Sequence, residues 1–216
     1  MNVDATTMKD WARRNGVKVH DDVIHSNVHD KVTNEKTFSS VSAFRSAFQS
    51  FLRDSPEKHL IFAISTHGTP FDYVDENRMT IQGEGIVITK GGLYTDQMLS
   101  QDVNVHFPKG KYLWLIIDTC FSGGLLNLWQ IKDRLDRNIV LFSGANSEIV
   151  GWGNSLGGYL TRRFTQFAEP GRYTFHIADD VIEKIEREDQ DDFSGVISTQ
   201  IKYSRPILAG TPFLVA

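Results

Sequence analysis

Cysteine, proline and long apolar segments are scarce in this sequence. Its 216 residues include six prolines and a single cysteine, Cys120, so neither an intramolecular disulfide nor a paired-cysteine metal site is available. No segment reaches the ~18 apolar residues of a membrane span, and the polar residues 1–16 differ from a signal peptide. We therefore expect a cytoplasmic protein with no membrane partner.

Positive charge is also sparse. Lysine and arginine number 23 against 27 acids, the formal net charge is -4, and no long basic run occurs. A nucleic-acid binder needs a surface that neutralises phosphates, so we expect no nucleic-acid partner. The 40% of hydrophobic and 23% of charged residues are typical of a globular chain, and the length fits one domain over 1–216.

Strand and helix patterns alternate along the chain. Residues 59–65 and 111–119 are continuous apolar runs, the form of strands that are buried on both faces of a parallel sheet. Between them we predict only loops and a hairpin over 80–94. The alternation predicts an α/β fold, a three-layer sandwich with a mostly parallel central sheet. The other predicted elements are helices over 8–15, 40–52, 122–136, 156–169 and near 177–185, and strands over 17–24 and 138–145.

Two residues with catalytic chemistry each follow one of these apolar runs. His67 comes just after 59–65, and Cys120 comes just after 111–119. Alone, each has a plainer interpretation, as a strand-end histidine and a buried structural thiol. Parallel α/β sheets place their sites beyond the carboxyl ends of the strands, so we expect both residues at one edge of the sheet.

A cysteine and a histidine at one edge indicate acyl transfer. A nearby base raises the thiolate fraction of a cysteine, and a histidine can then protonate the leaving amine. The N–H groups of Gly68 and Cys120 are candidates for an oxyanion hole, since a side chain at Gly68 would crowd the approach. The sequence identifies no third residue that orients the histidine.

The segments STHG (65–68) and DTCFSGG (118–124) carry a family resemblance. They place 53 positions between His67 and Cys120, close to the ~50 residues found in caspases. The chain resembles the caspase-like clan of cysteine peptidases, and its motif is closest to metacaspases and bacterial caspase-like proteases, because Asp118 replaces a glutamine two positions before the cysteine. Residues 151–164 and 200–215 are similar to the later part of that domain.

The resemblance implies a caspase-like fold with two halves. The large-subunit-like half covers about 1–125 and the small-subunit-like half about 138–216. The family's first core strand should precede the first helix, and here only three residues come before Asp4. We therefore expect a caspase-like fold in which this strand is absent, another segment replaces it, or the chain is an N-terminally shortened version.

The resemblance also implies a pocket for the side chain that precedes the cut. Asp118 takes a pocket position, where an acid favours lysine or arginine, and Ser65 is implied beside it. Trp152 is implied to wall a neighbouring apolar subsite, and Asp4 matches an acid that metacaspases add to the pocket. Two alternatives stay open: Asp118 as an acid that caps backbone N–H groups, and Trp152 as a core residue.

No cofactor is expected, and calcium is left as an alternative. Some metacaspases need calcium, and the chain offers Asp72, Asp75 and Asp96 as ligands. The family's acid just after the catalytic block is absent, since Asn127 lies there. The three histidines of 17–29 have no metal-binding motif and read as a polar edge, so we expect no metal site.

These observations favour two hypotheses. The first is a cysteine endopeptidase with a Cys120–His67 dyad that cleaves protein or peptide substrates after arginine or lysine, in regulated proteolysis, cell death or defence. The second is a caspase-fold interaction module that is inert or that a regulatory protein partner activates. The missing first strand is the reason to keep the second.

Overall fold

The structure, a computed structural model, describes residues 2–19, 38–75, 77–89, 92–126, 131–132, 138–145, 153–154, 157–168 and 200–203. Within this part, no helix is both long enough and apolar enough to cross a bilayer. The helices are α1 (Asn2–Arg14), α2 (Val41–Asp54), α3 (Asp96–His106) and α4 (Tyr159–Phe167). The strands are β1 (His59–Ser65), β2 (Gly68–Val74), β3 (Thr80–Thr89), β4 (Gly92–Thr95), β5 (Tyr112–Asp118), β6 (Asn138–Ser143), β7 (Gly153–Asn154), β8 (Gly157–Gly158) and β9 (Gln200–Tyr203).

The central sheet has the strand order β1-β5-β6-β9 among the described strands. β1, β5 and β6 run parallel, and β9 is antiparallel to β6. All seven residues of β1 pair in register with β5, from His59 with Tyr112 to Ser65 with Asp118. The predicted mostly parallel α/β sheet is therefore confirmed.

Helices cover both faces of this sheet because its strands alternate their side chains. Trp114 and Ile116 of β5 point to the face that α1 and α4 cover, where Trp11 and Phe164 pack edge to face. Residues 113, 115 and 117 point to the opposite face, which α2 and α3 cover. The period of two along a strand thus produces the three layers.

Helix α2 follows the predicted pattern closely. Ser40 is its N-cap and accepts a hydrogen bond from the backbone N–H of Ala43 at 3.0 Å. Phe44, Phe48 and Leu52, at helical spacing, form its buried face. A serine cap and this spacing are local signals, so the position of α2 can be predicted from the sequence.

A second, antiparallel sheet of β2, β3 and β4 lies beside the central one. The hairpin predicted over 80–94 is β3 and β4, but the prediction of loops elsewhere in 66–110 was wrong. Residues 68–74 form β2, which pairs along its length with β3, and α3 begins at its N-cap Thr95. Pro70 and the polar residues of β2 suit an edge strand and hide its pattern from the sequence.

Four other expectations differ from the structure. Only Leu60 of β1 is buried, because the described part of the sheet gives β1 one neighbour, β5. Helix α1 begins at Asn2 rather than at residue 8, and residues 17–19 are not a strand. Residues 122–126 and 131–132 form turns instead of a helix, since Gly123 and Gly124 weaken helical structure. The helix predicted near 177–185 lies outside the described residues.

Candidate active site

His67 and Cys120 stand beyond the carboxyl ends of two neighbouring parallel strands. Ser65 pairs with Asp118 at the end of the β1–β5 register, and the backbone N–H of Thr66 donates to the carbonyl of Asp118 at 3.4 Å. His67 follows Ser65 by two positions, and Cys120 follows Asp118 by two positions. The register therefore places His67 and Cys120 at the same edge of the sheet, just beyond the carboxyl ends of β1 and β5.

Gly68 lies directly against the backbone of Cys120. A Cβ built on Gly68 would collide with the carbonyl oxygen of Cys120 and lie 3.0 Å from the hydroxyl oxygen of Thr119. This close approach requires a glycine and joins the His67 segment to the Cys120 turn. His67 is exposed and Cys120 is half-buried, so a substrate has access to both.

The turn after Cys120 is held in an uncommon conformation. Phe121 has φ 51°, the left-handed region that residues other than glycine rarely adopt. Ser122, fully buried, donates to the carbonyl of Thr119 at 2.9 Å and accepts from the N–H of Ala145 at 3.2 Å. The first bond closes the turn on itself, and the second joins it to the segment just after β6.

Strand β3 contacts both catalytic segments. The N–H of Val87 donates to the carbonyl of His67 at 2.8 Å, and the hydroxyl of Thr66 donates to the carbonyl of Val87 at 2.9 Å. The buried carboxylate of Glu84 accepts from the N–H of Gly124 at 2.7 Å. Sequence reasoning missed Glu84; the only signal is one acid between two glycines in an apolar strand.

Two buried carboxylates lie beside the sheet edge. Asp4 is 2% exposed and accepts from the hydroxyl of Ser65 at 2.6 Å and from the N–H of Gly158 at 2.7 Å. Asp118 is 6% exposed and accepts from the N–H of Thr161 at 2.7 Å. The structure therefore brings together Asp4, Ser65 and Asp118 around the first turn of α4.

Burial has the largest effect on the electrostatics of Asp118. The pKa of Asp118 is raised to about 6, chiefly by burial and also by the nearby charge of Asp4, while hydrogen bonds from Thr161 oppose the rise. The first turn of α4 places its N–H groups, the positive end of the helix dipole, beside both acids. Asp118 thus caps backbone N–H groups, as one alternative predicted, and also lies next to Asp4.

Gly157 and Gly158 allow the acids to approach this closely. A Cβ on Gly157 would collide with the carboxylate of Asp4, and one on Gly158 would collide with that of Asp118. Gly157 also has φ 112°, which other residues rarely adopt. Neither glycine was singled out from the sequence, because the acids they contact are distant along the chain.

Comparisons with known proteins bear on the fold alone. No family model matches the sequence, and no curated protein matches it. The solved structure of protein GSU0716 from Geobacter sulfurreducens is similar with a TM-score of 0.64, 14% identity, and coverage of 94% of this chain and 83% of that one. Caspase-1 from Spodoptera frugiperda is similar with a TM-score of 0.61, 14% identity, and coverage of 93% and 77%.

This chain has a caspase-like fold. The element order, helices on both faces of a sheet with three parallel strands, agrees with the fold that the STHG and DTCFSGG motifs implied. The identity is too low to carry an activity or a specificity from either neighbour. Any activity or specificity of this chain has to be argued from its own residues at the sheet edge.

The remaining residues that the sequence analysis named are not part of this arrangement at the sheet edge. Trp152, Asn127 and the three histidines of 17–29 fall outside the described residues. Across the part of the chain that the structure describes, no three potential metal ligands cluster, so Asp72, Asp75 and Asp96 are not gathered into one site. Asp75 instead accepts hydrogen bonds from the N–H groups of Asn77 and Met79 in the β2–β3 turn.

Proposed function

We propose that this protein is a metacaspase-like cysteine endopeptidase that cleaves protein substrates after arginine or lysine. The observation that supports this most is the pairing of Ser65 with Asp118, which carries His67 and Cys120 to one edge of the sheet. The packing of Gly68 on the backbone of Cys120 adds a close contact between the two catalytic segments. A histidine and a cysteine so placed form the dyad of acyl transfer.

In the proposed reaction, His67 accepts the proton of the Cys120 thiol. The thiolate attacks the peptide carbonyl, and the N–H groups of Gly68 and Cys120 stabilise the negative charge on its oxygen. The C–N bond breaks as His67 protonates the leaving amine, and a thioester remains. His67 then takes a proton from water, the hydroxide attacks the thioester, and the thiol leaves with that proton.

The acid pair supports the choice of a cationic side chain before the cut. Asp4 and Asp118 are two acids beside the edge that carries the proposed dyad, and a carboxylate binds a guanidinium or ammonium group through charge-assisted hydrogen bonds. Ser65 orients Asp4 through a hydrogen bond of 2.6 Å. We also propose that Trp152 walls an apolar subsite nearby.

A peptide-library cleavage profile tests this proposal. Wild type is expected to cut after arginine and lysine, and Cys120→Ala is expected to cut nothing. Asp118→Asn should weaken the basic preference, whereas Asp72→Asn, which removes an exposed acid, should not. Equal turnover by Cys120→Ala, or a preference for aspartate, would refute the proposal. With a single cysteine, we place the activity in a reducing compartment, the cytoplasm.

A second candidate function is an interaction module that is inert or activated by a regulatory protein. It is favoured by β1, which has β5 as its one neighbour among the described strands and exposes Ala63. A peptide electrophile with arginine next to its reactive group discriminates the two. Labelling of Cys120 supports the peptidase; no labelling, with or without calcium, supports the module.

A further inference from the structure

We propose that Glu84 is a positioning residue that sets the Cys120 turn against His67. This inference rests on the proposed function, because it gives Cys120 the role of nucleophile. In the proposed reaction Glu84 takes no chemical step of its own. It acts through the backbone of the turn that carries Cys120.

The carboxylate of Glu84 is built into the turn. Glu84 is 7% exposed, and it accepts a hydrogen bond of 2.7 Å from the N–H of Gly124, four positions after Cys120. A Cβ on Gly124 would collide with that carboxylate, so the contact needs a glycine. A buried carboxylate is costly unless it is hydrogen-bonded, which makes a purely incidental contact a poor explanation.

The same strand holds the histidine segment. In β3, three positions beyond Glu84, the N–H of Val87 donates to the carbonyl of His67 at 2.8 Å. Ile86, between them, pairs in register with Gly68. One short strand therefore fixes the segment of His67 at one point and the turn of Cys120 at another, and it sets their separation.

The Cys120 turn needs such an anchor. It contains Phe121 at φ 51° and two adjacent glycines, Gly123 and Gly124, and it has no regular secondary structure. Ser122 joins its first half to Ala145, two residues after β6, and Glu84 joins its second half to β3. Without Glu84, the N–H of Gly124 loses its acceptor, and the turn is free to shift relative to His67. A shift of about 1 Å in such a site costs about a hundredfold in rate.

Two variants and a matched control test this in the full chain. Glu84→Ala is expected to lower kcat for an arginyl peptide at least tenfold with KM changed less than threefold, because the acid pair at α4 is untouched. Glu84→Gln keeps an acceptor oxygen and should restore most of kcat. Tyr94→Phe, the control in the neighbouring strand β4, removes a buried hydrogen bond to Asp102 of α3 and should lower only the unfolding temperature.

A double-mutant cycle isolates the contact. Gly124→Ala alone should lower kcat by displacing Glu84, and it should add little to Glu84→Ala, since the space is then vacant. Additive losses would show that the two residues act independently and would overturn the proposal. So would a Glu84→Ala protein whose folded fraction keeps the wild-type kcat.

Alkylation by iodoacetamide gives a readout that needs no peptidase activity. Cys120 is the single cysteine, so the mass shift reports it alone. The rate for Glu84→Ala should move from the wild-type value toward that of His67→Ala, because both changes separate the thiol from its base. An unchanged rate would overturn the role of Glu84 even if peptide cleavage stands; a changed rate supports it even if no peptide is cleaved.

Discussion

Ser65 and Asp118 are paired at the ends of the parallel strands β1 and β5. Each is followed, two positions later, by a catalytic candidate, and both lie within a short chain of hydrogen bonds through Asp4 and α4. This one pairing links the proposed dyad with the proposed specificity pocket.

Replacement of Gly68 by alanine is expected to reduce kcat about a hundredfold, because the new methyl group collides with the backbone of Cys120 and shifts the turn. Steady-state kinetics with an arginyl peptide measure the effect. Gly110→Ala is the control: it has φ 79° and open space around it, so it should destabilise the fold by about 1 kcal/mol and leave kcat unchanged. Similar kcat values for both variants would contradict the role of Gly68.

The efficiency of cleavage after arginine is expected to rise with pH through about 6, the pKa to which burial raises Asp118. Below that pH the carboxyl is protonated and attracts a cation less; above it the carboxylate is charged. Asp118→Asn should lack this step, so the ratio of kcat/KM between wild type and variant cancels every pH effect that the two proteins share. A ratio that is constant from pH 5 to pH 8 would contradict the assignment of Asp118.

Asp118 is also expected to weaken the fold as pH rises. Its pKa is raised from 3.8 to about 6 on folding, so the native state binds the proton more tightly than the unfolded chain does. Its contribution to the free energy of unfolding therefore falls between about pH 4 and pH 6 and is constant above, by roughly 3 kcal/mol at most. Unfolding temperatures of wild type and Asp118→Asn should diverge across that window in favour of the variant.

A partly buried ion pair between α2 and α3 is expected to support stability without affecting catalysis. Arg45 donates from Nε to both carboxylate oxygens of Asp102 at 2.8 and 2.9 Å, and Asp102 is 1% exposed. Arg45→Met should cost about 2 kcal/mol, because it leaves a buried charge without this partner. Arg53→Met breaks an exposed pair with Asp54 and should leave the urea midpoint unchanged. A lower kcat in folded Arg45→Met would contradict this division.

Local patterns in the sequence were sufficient for much of the framework. The apolar runs of β1 and β5, the serine cap and spaced aromatic residues of α2, and the glycine-rich hairpin are signals that neighbouring residues carry. The motifs around His67 and Cys120 follow directly from two of those strands. Their placement at one edge then required only the rule that parallel strands share their carboxyl ends.

The tertiary structure decided what depends on partners distant along the chain. Asp4 meets Gly158, 154 positions away, and Glu84 meets Gly124, 40 positions away. No local pattern encodes those contacts, since an isolated acid in a helix or strand reads as solvent-exposed. β2 was missed for the same reason: its polar edge strand is stabilised by pairing with β3. The sequence by itself determined the sheet edge and the two residues on it, whereas packing between distant segments decided what surrounds them, because burial and hydrogen bonding there come from residues that only folding brings together.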